Sequence, residues 1–173
     1  MSQIQPIITA EAIASKVAEL GAQISKDYGG KDLLLLSVLK GSVVFLADIM
    51  RQITIPCAID FMAVSSYGNS QTSSGAVKIN LDLKQDIGGR HVLIIEDIVD
   101  SGLTLGYLIG LLKARTPASL EVCALLNKKA RNEINIKPKY QGFDLPDAFV
   151  VGYGLDYAEK FRGLPYIGDL KEI

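Results

Sequence analysis

The sequence has no tryptophan, one histidine and only two cysteines in 173 residues. Nor is either sign of charge in excess: 18 Lys and Arg face 19 Asp and Glu, a formal net charge of −1. Each shortage excludes something. Cys57 and Cys123 cannot build a disulfide framework, and neither stands in a Cys-x-x-Cys or Cys-x-His pattern, so a zinc site is excluded and two reduced, buried thiols are expected. The near-neutral charge argues against a general nucleic-acid binder, which carries a basic excess. Residues 1–6 have neither a basic stretch nor an apolar one, so no secretory signal is read. Leu33 to Leu36 is an apolar run of four, far short of the roughly 18 residues that span a bilayer. No membrane partner is expected, and the expected location is a reduced cytoplasm. His91, the lone histidine, stands before an apolar run with no evident partner, and a structural role is expected of it.

What remains is ordinary for a globular protein: 49% hydrophobic and 21% charged residues. The length suits roughly one domain, and a chain of this size buries about 70% of its unfolded surface. One domain spanning 1–173 is the reading.

Thr9 can cap a helix whose apolar face is Ile13, Val17, Leu20 and Ile24, with Gly29 and Gly30 stopping it. Residues 33–39 read as a strand buried on both faces of a parallel sheet. Ser42 is placed to cap a helix over 43–51. Alternation at Ile59, Phe61 and Ala63 suggests another strand, and Val77, Ile79 and Leu81 resume the period of two. Between them residues 65–75 are polar or glycine, with Tyr67 the lone aromatic; so long a connection in a compact domain is often a lid. Residues 92–95 form a second buried strand. A loop over 96–100 leads into a helix over 101–114 with Leu105, Leu108, Leu111 and Leu112 inward, and strands follow at 120–126 and 149–151. Strands alternate with helices, so the fold class is α/β with a mostly parallel sheet.

The strongest local signal is Ile94-Ile95-Glu96-Asp97-Ile98-Val99-Asp100-Ser101-Gly102-Leu103-Thr104. A buried strand delivers two adjacent acids, then a third, then Ser-Gly-x-Thr opening a helix. Ligands of parallel sheets bind beyond the carboxyl ends of strands. Gly102 permits close backbone approach, and the free amides of 101–104 with the Ser101 and Thr104 hydroxyls make an anion cradle. A capped helix alone would explain Asp100 and Ser101. It would not explain three acids crowded at one strand end, where repulsion is unfavourable without a cation or hydrogen-bond donors. A Walker A loop and a dinucleotide fingerprint are both absent.

This run resembles the phosphoribosyl-pyrophosphate (PRPP) motif of the type I phosphoribosyltransferases. The rest of the chain, from about 33 to 164, is similar to their 6-oxopurine (hypoxanthine–guanine) branch. Leu39-Lys40-Gly41 resembles the branch's pyrophosphate loop, and Ser66-Tyr67 the pair in its flexible lid. Leu125-Leu126-Asn127-Lys128 resembles its purine-reading stretch. The run from Pro146 through Phe149-Val150-Val151-Gly152-Tyr153-Gly154-Leu155-Asp156-Tyr157 resembles its base-stacking segment, and Phe161-Arg162 its pyrophosphate arginine. The PRPP motif marks the superfamily; Val-Val-Gly-Tyr-x-Leu-Asp-Tyr is more specific to the branch.

The resemblance implies a central sheet flanked by helices, with a small hood from the N-terminus and residues 135–173, and a lid at about 65–75. It implies purine salvage: transfer of the phosphoribosyl group from PRPP to N9 of hypoxanthine, and of guanine, giving IMP or GMP and pyrophosphate. Mg²⁺ is the implied cofactor, held by Glu96, Asp97 and Asp156, the first two also meeting the ribose hydroxyls. Asp100 is implied as general base at purine N7, with Ser66 and Tyr67 closing over the reaction. The 5′-phosphate falls to Asp100, Ser101, Gly102, Leu103 and Thr104, and pyrophosphate to Lys40, Gly41 and Arg162. The purine falls to Lys128, Phe149, Val150 and Asp156. From residue type alone, Lys128 reads as one charge of a solvated run, Phe149 as core, Arg162 as a surface charge and Asp156 as a loop cap. A cis bond at Lys40-Gly41 and a homodimer or homotetramer are further implications. Ser101, Leu103, Ser42 and Gly154 depart from common residues of the branch, and none removes a proposed catalytic group. The alternative is a PRPP-sensing regulator of the same fold that binds nucleic acid. A basic stripe would favour it; the charge of −1 does not.

Overall fold

The structure is a computed structural model and describes residues 4–66 and 77–171. Its elements run β1 (Ile4–Ile8), α1 (Ala10–Asp27), β2 (Leu33–Leu39), α2 (Val43–Gln52), β3 (Cys57–Ser66), β4 (Val77–Leu81), β5 (His91–Val99), α3 (Leu103–Lys113), β6 (Ser119–Asn127), a 3₁₀ turn (Lys129–Arg131), β7 (Tyr140–Asp144), β8 (Val150–Val151) and β9 (Ile167–Leu170). Six strands form one sheet in the order β4-β3-β2-β5-β6-β7. It is parallel except for β4, which pairs antiparallel with β3. The remaining strands form a separate antiparallel sheet, β1-β9-β8. β7 extends the main sheet, so from the C-terminal part only β8 and β9 join this second layer.

The leucine run explains the layering. Leu33 and Leu35 pack into a cluster with α1 and α2, while Leu34 and Leu36 enter a second cluster with α3. All four are at most 1% exposed. β5 repeats the division, with Leu93 and Ile95 on one face and Val92 and Ile94 on the other. Side chains alternate across a strand, so a strand covered on both faces reads as continuously apolar. Each such side chain contributes about 1.5–3 kcal/mol by leaving water.

Thr9 caps α1 as its sequence suggests: its hydroxyl accepts from the Ala12 amide at 3.2 Å. Other local expectations are corrected. The Ser42 hydroxyl makes no cap bond; it donates to the Val38 carbonyl and lies 2.7 Å from Ser37 Oγ. The cis peptide is Leu39-Lys40, one bond before the expected Lys40-Gly41. Glu96 to Val99 is strand rather than loop, because Glu96, Ile98 and Val99 continue the pairing with Ala124, Leu126 and Asn127. α3 opens at Leu103, not 101, since Gly102 stands at φ +82°, outside helical space. Cys57 is half-buried, whereas Cys123 is fully buried. His91 does have partners: Ser119 Oγ at 2.7 Å and the edge of the Tyr28 ring. No described helix is long and apolar enough to cross a membrane.

Candidate active site

Parallel pairing brings the exits of β2 and β5 side by side, and the cavity forms there. It holds about 260 Å³ and is lined by Gly41 from β2's exit, by Glu96 and Asp97 from β5, and by Asp100, Ser101, Gly102 and Thr104 beyond it. Seven of the site residues read from the sequence, drawn from two remote stretches, thus converge. Leu103 is on the outside, exposed as the first residue of α3.

Gly102 is held from behind. A Cβ there would press on Asn132 and on Ile134 and Ile136, and the Ser101 carbonyl accepts from the Glu133 amide at 3.0 Å. Segment 132–136 therefore buttresses the cradle and fixes the direction of its amides. Gly41 is required for another reason: a Cβ at that position would occupy the space of the Asp97 carboxylate.

Burial, then the charge of Asp97, holds the Glu96 carboxyl well above its ordinary range. Burial also raises Asp97; the Ile98 amide, its own amide and the Arg162 guanidinium pull the other way, while Asp156 adds to the rise. Among the described residues neither acid has a cationic side chain within ion-pair distance. Also among these, no three acidic, histidine or cysteine side chains converge as a protein-built metal cage. Two crowded, desolvated carboxylates with free oxygens suit a hard cation that keeps water and substrate oxygens for its remaining positions, or sugar hydroxyls.

Lys128 is not solvated. Its side chain is 7% exposed and its Nζ lies 3.8 Å from Asp100 Oδ2. The Val99–Asn127 pairing puts the residues that follow each strand at one edge, and the Lys128 amide donates to the Val99 carbonyl at 2.9 Å. Phe149 is not core: it is 53% exposed, edge-on to Tyr157 with ring centres 5.6 Å apart. An apolar face this open is available for stacking. Val150 beside it is buried in β8.

Arg162 is half-buried rather than a free surface charge. It donates to the Gly154 carbonyl at 2.8 Å and pairs with Asp156 at 2.8 Å. Asp156 does cap locally, accepting from the Glu159 amide at 2.8 Å. Lys40 and Arg162 are joined by Glu159, at 3.1 Å and 3.2 Å. Nothing in the Ala158-Glu159-Lys160 run marks Glu159 in the sequence. Nor does residue type mark Arg131 and Asp147; Arg131 lies 3.4 Å from Asp100 Oδ1 and 3.7 Å from Asp147. Ser66 ends β3, its backbone paired with Val77; Tyr67 lies outside the described residues.

Residues 5–158 match the phosphoribosyl transferase domain family. The chain belongs to that family. It is 54% identical over 170 residues to a hypoxanthine-guanine phosphoribosyltransferase of Mycobacterium tuberculosis, covering 95% of this chain and 84% of the relative. Against the Bacillus subtilis protein of the same name the identity is 52%, covering 95% and 92%. A solved hypoxanthine phosphoribosyltransferase from Staphylococcus aureus superposes with a TM-score of 0.94 at 48% identity, covering 96% of this chain and 91% of that one. The family makes this phosphoribosyltransferase a transferase enzyme of the α/β class.

Proposed function

We propose that the chain is a purine-salvage enzyme that transfers the 5-phosphoribosyl group of PRPP to N9 of hypoxanthine, and of guanine, releasing pyrophosphate and forming IMP or GMP. The observation that carries the reading is the pairing of buried Lys128 with Asp100 at the mouth of the cradle, beside relatives that bear this activity in their names. Lys128 is a donor without acceptor capacity, so it suits a 6-oxo group and disfavours the 6-amino group of adenine.

Each residue has a task that its chemistry permits. The amides of 101–104 and the Ser101 and Thr104 hydroxyls hold the 5′-phosphate. Phe149 stacks on the base beside Val150, while Leu155-Asp156 lies at its 2-position. Asp100 takes the proton from N7 as the N9 lone pair forms the bond to the anomeric carbon and the bond to pyrophosphate breaks. A base so placed contributes roughly 10²–10⁴-fold. Lys40, Gly41 and Arg162 receive the pyrophosphate, Arg162 through its fork of donors. Glu96 and Asp97 hold the ribose hydroxyls and would hold Mg²⁺ there, and Asp156 would hold it on the pyrophosphate side; the ion would neutralise charge on the departing pyrophosphate. Ser66 and Tyr67, within the stretch 65–75, exclude water on closure. The working unit proposed is one domain in a cytoplasmic homodimer or homotetramer, supported by two unpaired cysteines and by the resemblance. The −1 charge gives the nucleic-acid-binding alternative no support.

The test is Asp100→Asn, with PRPP and hypoxanthine each titrated to saturation. The turnover number falls by about 10²-fold or more while KM for PRPP holds. Turnover equal to wild type removes Asp100 from the role.

A further inference from the structure

Asp100 presents two oxygens in unlike settings. Its Oδ1 is buried and makes no hydrogen bond among the described residues. The group that approaches it is the guanidinium of Arg131, with Nε at 3.4 Å. The side chain as a whole is 44% exposed, so its access to solvent lies away from Oδ1. Oδ2 is therefore the oxygen free to meet a base, with Lys128 Nζ at 3.8 Å.

Arg131 also reaches back. Its NH1 lies 3.7 Å from Asp147, two residues before Phe149. The segment carrying Asp147 is itself tied to β6, since the Leu145 amide donates to the Asn127 carbonyl at 2.9 Å. The 3₁₀ turn that bears Arg131 is closed by its own amide donating to the Lys128 carbonyl at 3.0 Å. The guanidinium thus stands between the acid of the cradle and the segment that carries the stacking ring, on a backbone anchored to both.

We infer that Arg131 is a positioning residue for the transfer: it engages Asp100 Oδ1, turns Oδ2 toward the purine, and ties that orientation to the Asp147–Phe149 segment. The inference rests on the reading of Asp100 as the base at N7. A cation suits the task because it stands between two carboxylates, Asp100 at 3.4 Å and Asp147 at 3.7 Å, and a guanidinium keeps its charge at any working pH. Removing it leaves the buried Oδ1 with no cation beside it, Lys128 being at Oδ2, and the cheapest relief is rotation of the carboxyl away from the productive angle. Small misplacements of a reacting group carry large rate penalties.

The test is a kinetic cycle with Arg131→Gln, Arg131→Lys, Asp100→Asn and the double variant Arg131→Gln/Asp100→Asn, each with hypoxanthine and PRPP. Arg131→Gln is expected to lower the turnover number about tenfold or more, with KM for PRPP within twofold of wild type. Arg131→Lys restores most of it by returning the charge. The double variant is no slower than Asp100→Asn alone, because Arg131 acts through Asp100. An unimpaired Arg131→Gln, an Arg131→Lys as slow as Arg131→Gln, or losses that multiply in the double variant would each overturn the inference while leaving Asp100 in its role. An unimpaired Asp100→Asn would instead overturn the reading of Asp100, and this inference with it.

Discussion

The Lys128 ammonium and the Asp100 carboxylate meet at 3.8 Å because β5 and β6 run parallel, in register through Val99 and Asn127. Each strand releases its polar residue at the same edge, so the contact is set by sheet register. In water such a pair is worth little, but here the lysine is 7% exposed. Lys128→Gln, one bond shorter in reach, keeps a donor, adds an acceptor and removes the charge. It should lower kcat/KM for hypoxanthine by about tenfold or more, in line with the 1.5–3 kcal/mol of a charged hydrogen bond. It should also narrow the preference over adenine. A panel of initial rates with both bases checks this; an unchanged ratio would take Lys128 out of base recognition.

Gly41 has a steric assignment that does not depend on which ligand binds. A methyl group there enters the Asp97 carboxylate, which is walled in and 9% exposed. Gly41→Ala should displace Asp97 and raise KM for PRPP by tenfold or more, with the melting temperature little changed. Equal KM values for the variant and wild type would show that Asp97 yields without consequence.

Alkaline stability has a defined sign. Burial raises the Tyr28 phenol from its ordinary 10 to about 12, the Glu121 charge adding to the rise. Its hydroxyl is buried with no hydrogen-bond partner among the described residues. The folded state therefore favours the neutral phenol. That contribution is whole below pH 10 and is lost as pH rises from 10 through 12, where the unfolded chain ionises first. Tyr28→Phe should match wild type at pH 7, since it removes an unsatisfied polar atom. Its denaturant midpoint should fall less steeply than that of wild type above pH 10. Parallel curves would rule Tyr28 out as a source of alkaline unfolding.

Much of this was legible in the sequence because it is local. The four-leucine run announced a strand covered on both faces, and Glu96 to Thr104 carried its own cradle. Long-range neighbours were not legible. Lys128 reads as solvated until β6 is seen to bury it, and Phe149 reads as core until the second sheet is seen to leave it open. β1, β7 and β9 are short and weakly patterned, and acquire meaning only from their partners. Glu159 and Arg131 belong to charge runs that look like any solvated surface; their roles arise from ion pairs across the fold.

Glu159 bridges Lys40 and Arg162, the two cations assigned to pyrophosphate. Those two cations hold the Glu159 carboxyl below its ordinary range, Lys40 most of all. A diphosphate reaching these cations competes with this carboxylate for them. Glu159→Gln should therefore bind pyrophosphate severalfold more tightly, read as a lower product-inhibition constant. A weaker or equal constant would mean that the bridge does not compete.

The most direct measurement is a base panel. With PRPP and Mg²⁺ present, absorbance is followed on adding hypoxanthine, guanine, xanthine and adenine in turn, with EDTA as control. Turnover of hypoxanthine and guanine but not adenine, abolished by EDTA, is the predicted result. No turnover of any 6-oxopurine by protein that binds PRPP, or turnover of adenine at the rate of hypoxanthine, would contradict the account.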